Sequence, residues 1–248
     1  MSAQATGDRL DREDPRITRS RGLIMAAAER VFLARGFAGT SVDDIAVEAG
    51  VSKRTVYNVF DDKEQLFRAI LGDAIATAER YAGEVATTTA SAVDLDEALR
   101  DLARELAASV LGGRVVPLRR LLIGEASRFP EFALEYYGRA PGRVMTAVAS
   151  ALGSLADRGL LSVDDAELAA EHFAFLSIGS SLDRALFEPA ADGDPAGVEA
   201  AVARAERGAA AFLRAYRAPG AGTGDGGGAG DAPAGAGAGA GAGAAGTR

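Results

Sequence analysis

The sequence predicts an all-α fold of about nine helices. Three observations carry that expectation: apolar residues recur every three or four positions almost everywhere between residues 18 and 218, strand-like alternation is absent, and Asp, Ser, Pro and Gly stand where helices should start and stop. Ile24, Ala28, Val31 and Phe32 form the first stripe. Phe67, Ile70, Leu71, Ala74, Ala78 and Tyr81 form another, and Leu99, Leu102, Ala103, Leu106 and Val110 a third. Near the end, Val198, Ala201, Val202, Ala205, Ala209, Phe212, Leu213 and Tyr216 continue the period without a break. The punctuation agrees. Asp61-x-x-Glu64 and Asp94-x-x-Glu97 read as capping boxes, Asp194-Pro195 as an N-cap followed by proline at the first helical position, and Gly36, Gly113 and Gly159 as helix stops. For any single stripe, packing into a core is explanation enough.

The two ends read differently. Residues 1–17 alternate acids and bases and lack an apolar stretch, so they are expected to be a disordered arm rather than a signal peptide. Residues 219–248 hold 13 of the 31 glycines and 10 alanines, with almost nothing to bury, and are expected to be a disordered tail. Between them lie 201 residues of folded chain. There is no Cys, which excludes disulfides, thiolate metal sites and a cysteine nucleophile; the single His172 excludes a multi-histidine metal cage. No cofactor is expected. No run approaches the roughly 18 apolar residues of a membrane span, so the chain is expected to be soluble and cytoplasmic. Net charge is −8, yet residues 1–68 carry 11 basic and 11 acidic side chains while the remainder carries 16 and 24. One segment of an acidic chain is thus kept neutral, as expected of the part that approaches phosphate.

Between Phe37 and Phe67 long helices give way to two short ones. The first opens at Ser41, with Asp44 three residues on; Ala49-Gly50-Val51 makes a tight turn; the second opens at Ser52. Small Ala46 sits where the two helices touch, Gly50 takes the positive φ that the turn demands, and Ile45, Val51 and Val56 fill the space between. This is the spacing of a helix-turn-helix, whose second helix enters the DNA major groove with its N-terminal residues at base edges. Lys53 or Arg54 then suits guanine O6 and N7, and Asn58 suits adenine. Thr40, Ser41, Ser52 and Lys63 are placed for phosphate oxygens. The blander reading of Lys53 and Arg54 is a solvated surface pair, with Ser52 only a cap.

The stretch Ile24-x-x-Ala27-x-x-x-x-Phe32-x-x-x-Gly36-Phe37-x-x-Thr40-Ser41-Val42, continued by Asp44-Ile45-Ala46-x-x-Ala49-Gly50-Val51-Ser52-Lys53-x-Thr55-Val56-Tyr57-x-x-Phe60-x-x-Lys63-Glu64-x-Leu66-Phe67, closely resembles the DNA-binding domain of the TetR-type (tetracycline-repressor-like) regulators. The resemblance implies that Thr55 and Tyr57 meet the DNA backbone or nearby bases, that Lys63 holds a phosphate at the start of helix 4, and that Phe60 is buried. Arg54 departs from the small residue, often glycine, that this family carries there. The run from Arg119 to Phe132, followed by Tyr136-Tyr137 and Pro141, resembles the C-terminal domain of the AefR-like branch.

That family implies a helix-turn-helix DNA-binding domain at 18–64 and a larger helical ligand-binding and dimerisation domain at 65–218. The partners implied are a palindromic double-stranded operator, a second copy of the chain and an unidentified small-molecule effector, with helix 4 as the rod that couples effector to DNA. The dimer surface is expected on the last two long helices, about 164–187 and 194–217, at Leu176, Gly179, Leu182, Leu186, Phe212 and Leu213. Gly179, Ser180 and Ser181 admit a close partner helix, or else a kink. Candidate effector contacts are Leu122, Phe132, Tyr136, Tyr137, His172, Phe173 and Phe175. The readings from other classes are an all-α scaffolding module without DNA binding, and an enzyme. Against the enzyme, the pairs Asp43-Asp44, Asp61-Asp62 and Asp164-Asp165 sit at helix starts, where adjacent side chains diverge by about 100° and capping accounts for them.

Overall fold

A computed structural model describes residues 15–189 and 192–220. The expected tail from residue 221 and the expected arm up to residue 14 lie outside the described residues. The helices are α1 (Pro15–Arg35), α2 (Val42–Ala49), α3 (Lys53–Val59), α4 (Lys63–Ala90), α5 (Leu95–Leu111), α6 (Val115–Glu125), α7 (Pro130–Arg139), α8 (Pro141–Asp157), α9 and α10 (Pro195–Tyr216). α9 is one rod in three pieces: Ala166–Ala174, a π-helical turn Phe175–Gly179, and Ser180–Phe187. No strand occurs among the described residues; one isolated bridge joins Leu161 to Arg217. The all-α expectation therefore holds. α1 starts at Pro15, three residues before the expected boundary, because proline is well suited to the first helical turn.

Local sequence accounts for the ends of these helices. Asp94, Asp165 and Asp194 cap α5, α9 and α10 by accepting from backbone amides two or three residues on. The cap of α4 is Asp62 rather than Asp61, and it accepts from the Gln65 amide. Asp61 is instead drawn to the Gln65 side chain, which both donates to its carboxylate and accepts from its amide. Gly159 ends α8 at φ 72°, with its amide bonded to Ala156 and that of Leu160 to Leu155.

Two cores result, and they do not divide at residue 64. One joins α4, α5, α8, α9 and α10 around Leu99, Leu152, Phe173 and Phe212. The other holds the three N-terminal helices and the first half of α4 together with Leu118, Leu122, Phe129, Phe132 and Tyr136 of α6 and α7. Phe32, Phe37, Phe67, Phe129 and Phe132 form a continuous aromatic cluster, with Phe37 to Phe129 at 4.9 Å and Phe129 to Phe132 at 5.1 Å. Each buried Phe contributes roughly 1.5–3 kcal/mol, so the α6–α7 corner is part of what holds the N-terminal helices together. Arg114, at the start of α6, ties the same two regions by ion pairs to Glu29 of α1 and Asp73 of α4.

The first core corrects one expectation. Phe212 and Leu213, expected at a dimer surface, are buried under their own chain because α10 turns its Ala201, Ala205, Gly208, Ala209, Phe212 and Leu213 face inward. Gly179 closes the π-helical turn Phe175–Gly179, and Ser180 and Ser181 begin the next α-helical piece. The close approach there is intramolecular: Gly208 of α10 lies directly on the Leu176 and Ser177 backbone.

Candidate nucleic-acid interface

The turn between α2 and α3 is built by its own sequence. Ser41 and Asp44 form a reciprocal capping box at the start of α2, the Ser41 side chain accepting from the Asp44 amide and Asp44 accepting from the Ser41 amide. The Ser41 hydroxyl also donates to the Asp44 carboxylate, and this bond, followed by the one from the Ser41 amide, holds the Asp44 carboxyl below its ordinary range. Gly50 adopts φ 66°, and the Gly50 and Val51 amides bond back to Val47 and Ala46, a Schellman ending that closes α2 and turns the chain. Ser52 then caps α3 by accepting from the Thr55 amide at 3.1 Å. Ile45, Ala46, Val56 and Phe60 are buried behind this pair. One apolar face is spent on the core, so the opposite face of α3 must point outward.

That face carries the expected residues. Ser52, Lys53, Arg54, Tyr57 and Asn58 are exposed and Thr55 is half-buried. The Lys53 ammonium donates to Asp43 across the turn at 2.9 Å, which raises its pKa. Arg54 makes no ion pair or hydrogen bond among the described residues. Thr55 pairs its hydroxyl with that of Ser52 at 2.8 Å. Ser41 is exposed at the start of α2. Acidic residues of α2 engage further arginines: Arg35 pairs with Asp44 and Arg30 with Glu48, both at 2.7 Å.

Two expected phosphate contacts are otherwise occupied. Thr40 is 3% exposed; its hydroxyl donates to the Gly36 carbonyl at 2.7 Å, so it closes the turn after α1 and has nothing left for DNA. Lys63 is half-buried, donates to the carbonyls of Phe37 and Thr40 at 2.7 and 2.8 Å, and lies 4.2 Å over the Phe37 ring. Desolvation, followed by the nearby Arg128, lowers its pKa. Lys63 therefore staples α4 to the α1–α2 turn, leaving one of its three donors. Sequence reasoning also missed three neighbours that no local spacing reveals. They are Asp43 against Lys53, Arg21 stacked 4.7 Å over Phe60, and Arg128 stacked over Phe37 and Phe129.

The residues expected to line an effector pocket are scattered. Leu122, Phe132 and Tyr136 are buried in the core shared with the N-terminal helices, and burial raises the Tyr136 pKa. Phe173 is buried in the other core. Tyr137 and Phe175 are 70% and 76% exposed, and His172 is exposed with Nδ1 at 2.5 Å from the Tyr216 hydroxyl. They do not converge on one cavity. Their helical spacing reports a face, and faces of different helices look in different directions. Of the expected dimer residues, Leu176 is 46% exposed, and Leu182, Leu186 and Gly179 are half-buried. The neighbouring Phe187, which sequence reasoning passed over, is 79% exposed.

Comparison with known proteins places this geometry. Residues 24–70 match the model of the bacterial regulatory proteins of the tetR family, and residues 97–218 match the C-terminal domain of AefR-like transcriptional repressors. The crystal structure of a putative TetR-family transcriptional regulator from Mesorhizobium loti is 30% identical, with a TM-score of 0.72 over 82% of this chain and 100% of that one. The chain belongs to the TetR family of bacterial regulators. Among curated relatives, the HTH-type transcriptional activator FasR of Mycolicibacterium smegmatis is 42% identical over 65 residues, 26% of this chain and 27% of that protein. The transcriptional repressor BepR of Brucella suis is 42% identical over 55 residues, 22% of this chain and 26% of that protein. This chain thus covers about a quarter of the length of either. No helix among the described residues is long and apolar enough to cross a membrane.

Proposed function

We propose that this TetR-family protein binds a palindromic operator in the cytoplasm as a two-fold dimer, represses transcription from it, and is released by a small-molecule effector. The observation that carries the reading is the outward face of α3, whose polar residues project from a helix locked from behind by Val56 and Phe60. Arg54, with no ion pair or hydrogen bond among the described residues, is the residue to donate to guanine; Asn58 suits adenine; Lys53 is shared between Asp43 and the DNA. Ser41, Ser52, Thr55 and Tyr57 serve phosphate oxygens. One such helix reads too few bases for useful specificity, which favours two half-sites about 34 Å apart. Phe175, Leu176 and Phe187 support α9 as the dimer face, with Gly179, Leu182 and Leu186 on the same helix between them. The aromatic cluster and the Arg114 ion pairs support transmission, since a shift of α6 moves α1 and α4 with it.

The test is a salt titration of binding to duplexes from the gene's own upstream region. Affinity is expected to fall steeply with salt, and Arg54→Ala is expected to flatten the preference among operator variants by about 1–3 kcal/mol at one base pair. Equal affinity of the parent for the upstream and a scrambled duplex would overturn the proposal.

A further inference from the structure

α4 and α7 leave a groove between them on a side of the molecule that neither α3 nor α9 forms. Arg68, Leu71, Gly72 and Ile75 of α4 and Phe132 and Glu135 of α7 line it, and it encloses about 80 Å³. The four α4 positions are spaced i, i+3, i+4 and i+7, so one face of the helix makes the whole wall. Leu71, Ile75 and Phe132 are buried and make an apolar floor. Gly72 is the gap in that wall. A Cβ built on it meets nothing within 4 Å, so no packing constraint accounts for a poor helix former in mid-helix, and the space it vacates opens the groove.

The charges at the rim are unequal in their commitments. Glu135 is engaged by Arg139 at 3.1 Å, and the same arginine bonds Glu79. Arg68 is exposed, with its guanidinium centred 4.4 Å over the Phe132 ring, and makes no ion pair or hydrogen bond among the described residues. Its planar fork of donors is held in place by the ring beneath and is open at its edge, the arrangement that accepts a carboxylate with two parallel hydrogen bonds.

We propose that this groove binds a small planar monocarboxylate, of which benzoate is the minimal form. The ring lies over Gly72 against Leu71, Ile75 and Phe132, and the carboxylate takes the free edge of Arg68. The site stands apart from the DNA-facing surface and does not depend on the DNA reading, but Phe132 stacks on Phe129, which meets Phe37 of the N-terminal core. An occupant of the groove is therefore two rings away from Phe37 in the turn that leads into α2.

The experiment is titration calorimetry of the full chain, without DNA, against benzoate, its neutral amide benzamide and the cation benzylamine. Benzoate is expected to bind saturably, with benzamide weaker by about ten-fold or more, the loss expected when a charge-assisted pair is replaced by a neutral one. Arg68→Gln should lower benzoate affinity by a similar factor. Gly72→Leu should abolish binding while the far-UV spectrum and melting temperature stay at or above those of the parent; if that variant misfolds, Arg68→Gln decides alone. Benzylamine binding tighter than benzoate, benzoate affinity unchanged in Arg68→Gln, or no saturable benzoate binding would each overturn the proposal.

Discussion

Replacing Gly208 by alanine sets two physical effects against each other. Alanine is about 1 kcal/mol better than glycine in a helix interior, so propensity alone predicts a more stable protein. A Cβ on Gly208, however, would stand 2.6 Å from the Leu176 carbonyl carbon and 2.8 Å from Ser177 Cα, and closer still to the Leu176 oxygen. These are backbone atoms of the π-helical turn, so no rotamer change relieves the clash. Overpacking costs typically about 1–3 kcal/mol, and contact with backbone places this case near the upper end. The net expectation is a loss of about 2 kcal/mol, which for a chain of this size lowers the melting temperature by about 4–8 °C. Gly83→Ala on α4 is the control. A Cβ there meets nothing within 4 Å, so only the propensity gain remains and melting should rise by about 2–4 °C. The assay is thermal denaturation followed by circular dichroism, at one fixed protein concentration because association contributes to stability. A Gly208→Ala protein that melts at or above the parent would refute the assignment of α10 to the π-helical turn.

Lys63→Gln should cost about 2 kcal/mol of stability, because two donors are lost to the Phe37 and Thr40 carbonyls. It should also weaken binding to every duplex alike by loosening the α2 mount, whereas Arg54→Ala should leave the melting curve unchanged. Asp44 has a lowered pKa from its bonds to Ser41, so the unfolded chain binds that proton more readily. Its contribution is therefore present above the ordinary value of 3.8 and lost as the pH falls through the lowered one. Acid titration of stability should accordingly show the difference between the parent and Asp44→Asn shrinking as the pH falls past 3.8 and through the lowered pKa. Arg120 donates to the Ala185 and Leu186 carbonyls and pairs with Asp192. Arg120→Leu should cost about 2 kcal/mol and speed amide exchange in the last turn of α9; unchanged exchange there would show that this clamp is idle.

The capping box at Ser41, the left-handed Gly50 and the cap at Ser52 were all legible in the sequence, because each depends on residues at most five positions apart. The exposed face of α3 follows from them directly. The intramolecular partners of Thr40 and Lys63 were not legible, for the opposite reason. Their partners are the carbonyls of Gly36, Phe37 and Thr40, and backbone acceptors carry no mark in a sequence.

A single chain thus determines its own helices, their ends and the inward stripe of each, since these rest on local hydrogen bonding and on apolar spacing. It does not say which inward stripes meet. Phe212 and Leu213 looked the same whether their cover was α5 or a second copy, and Phe132 looked the same in a pocket or in a core. Only the crossing of helices distant in sequence decided that the α6–α7 corner shares a core with the reading domain, because burial rewards any apolar neighbour and carries no record of which one was chosen.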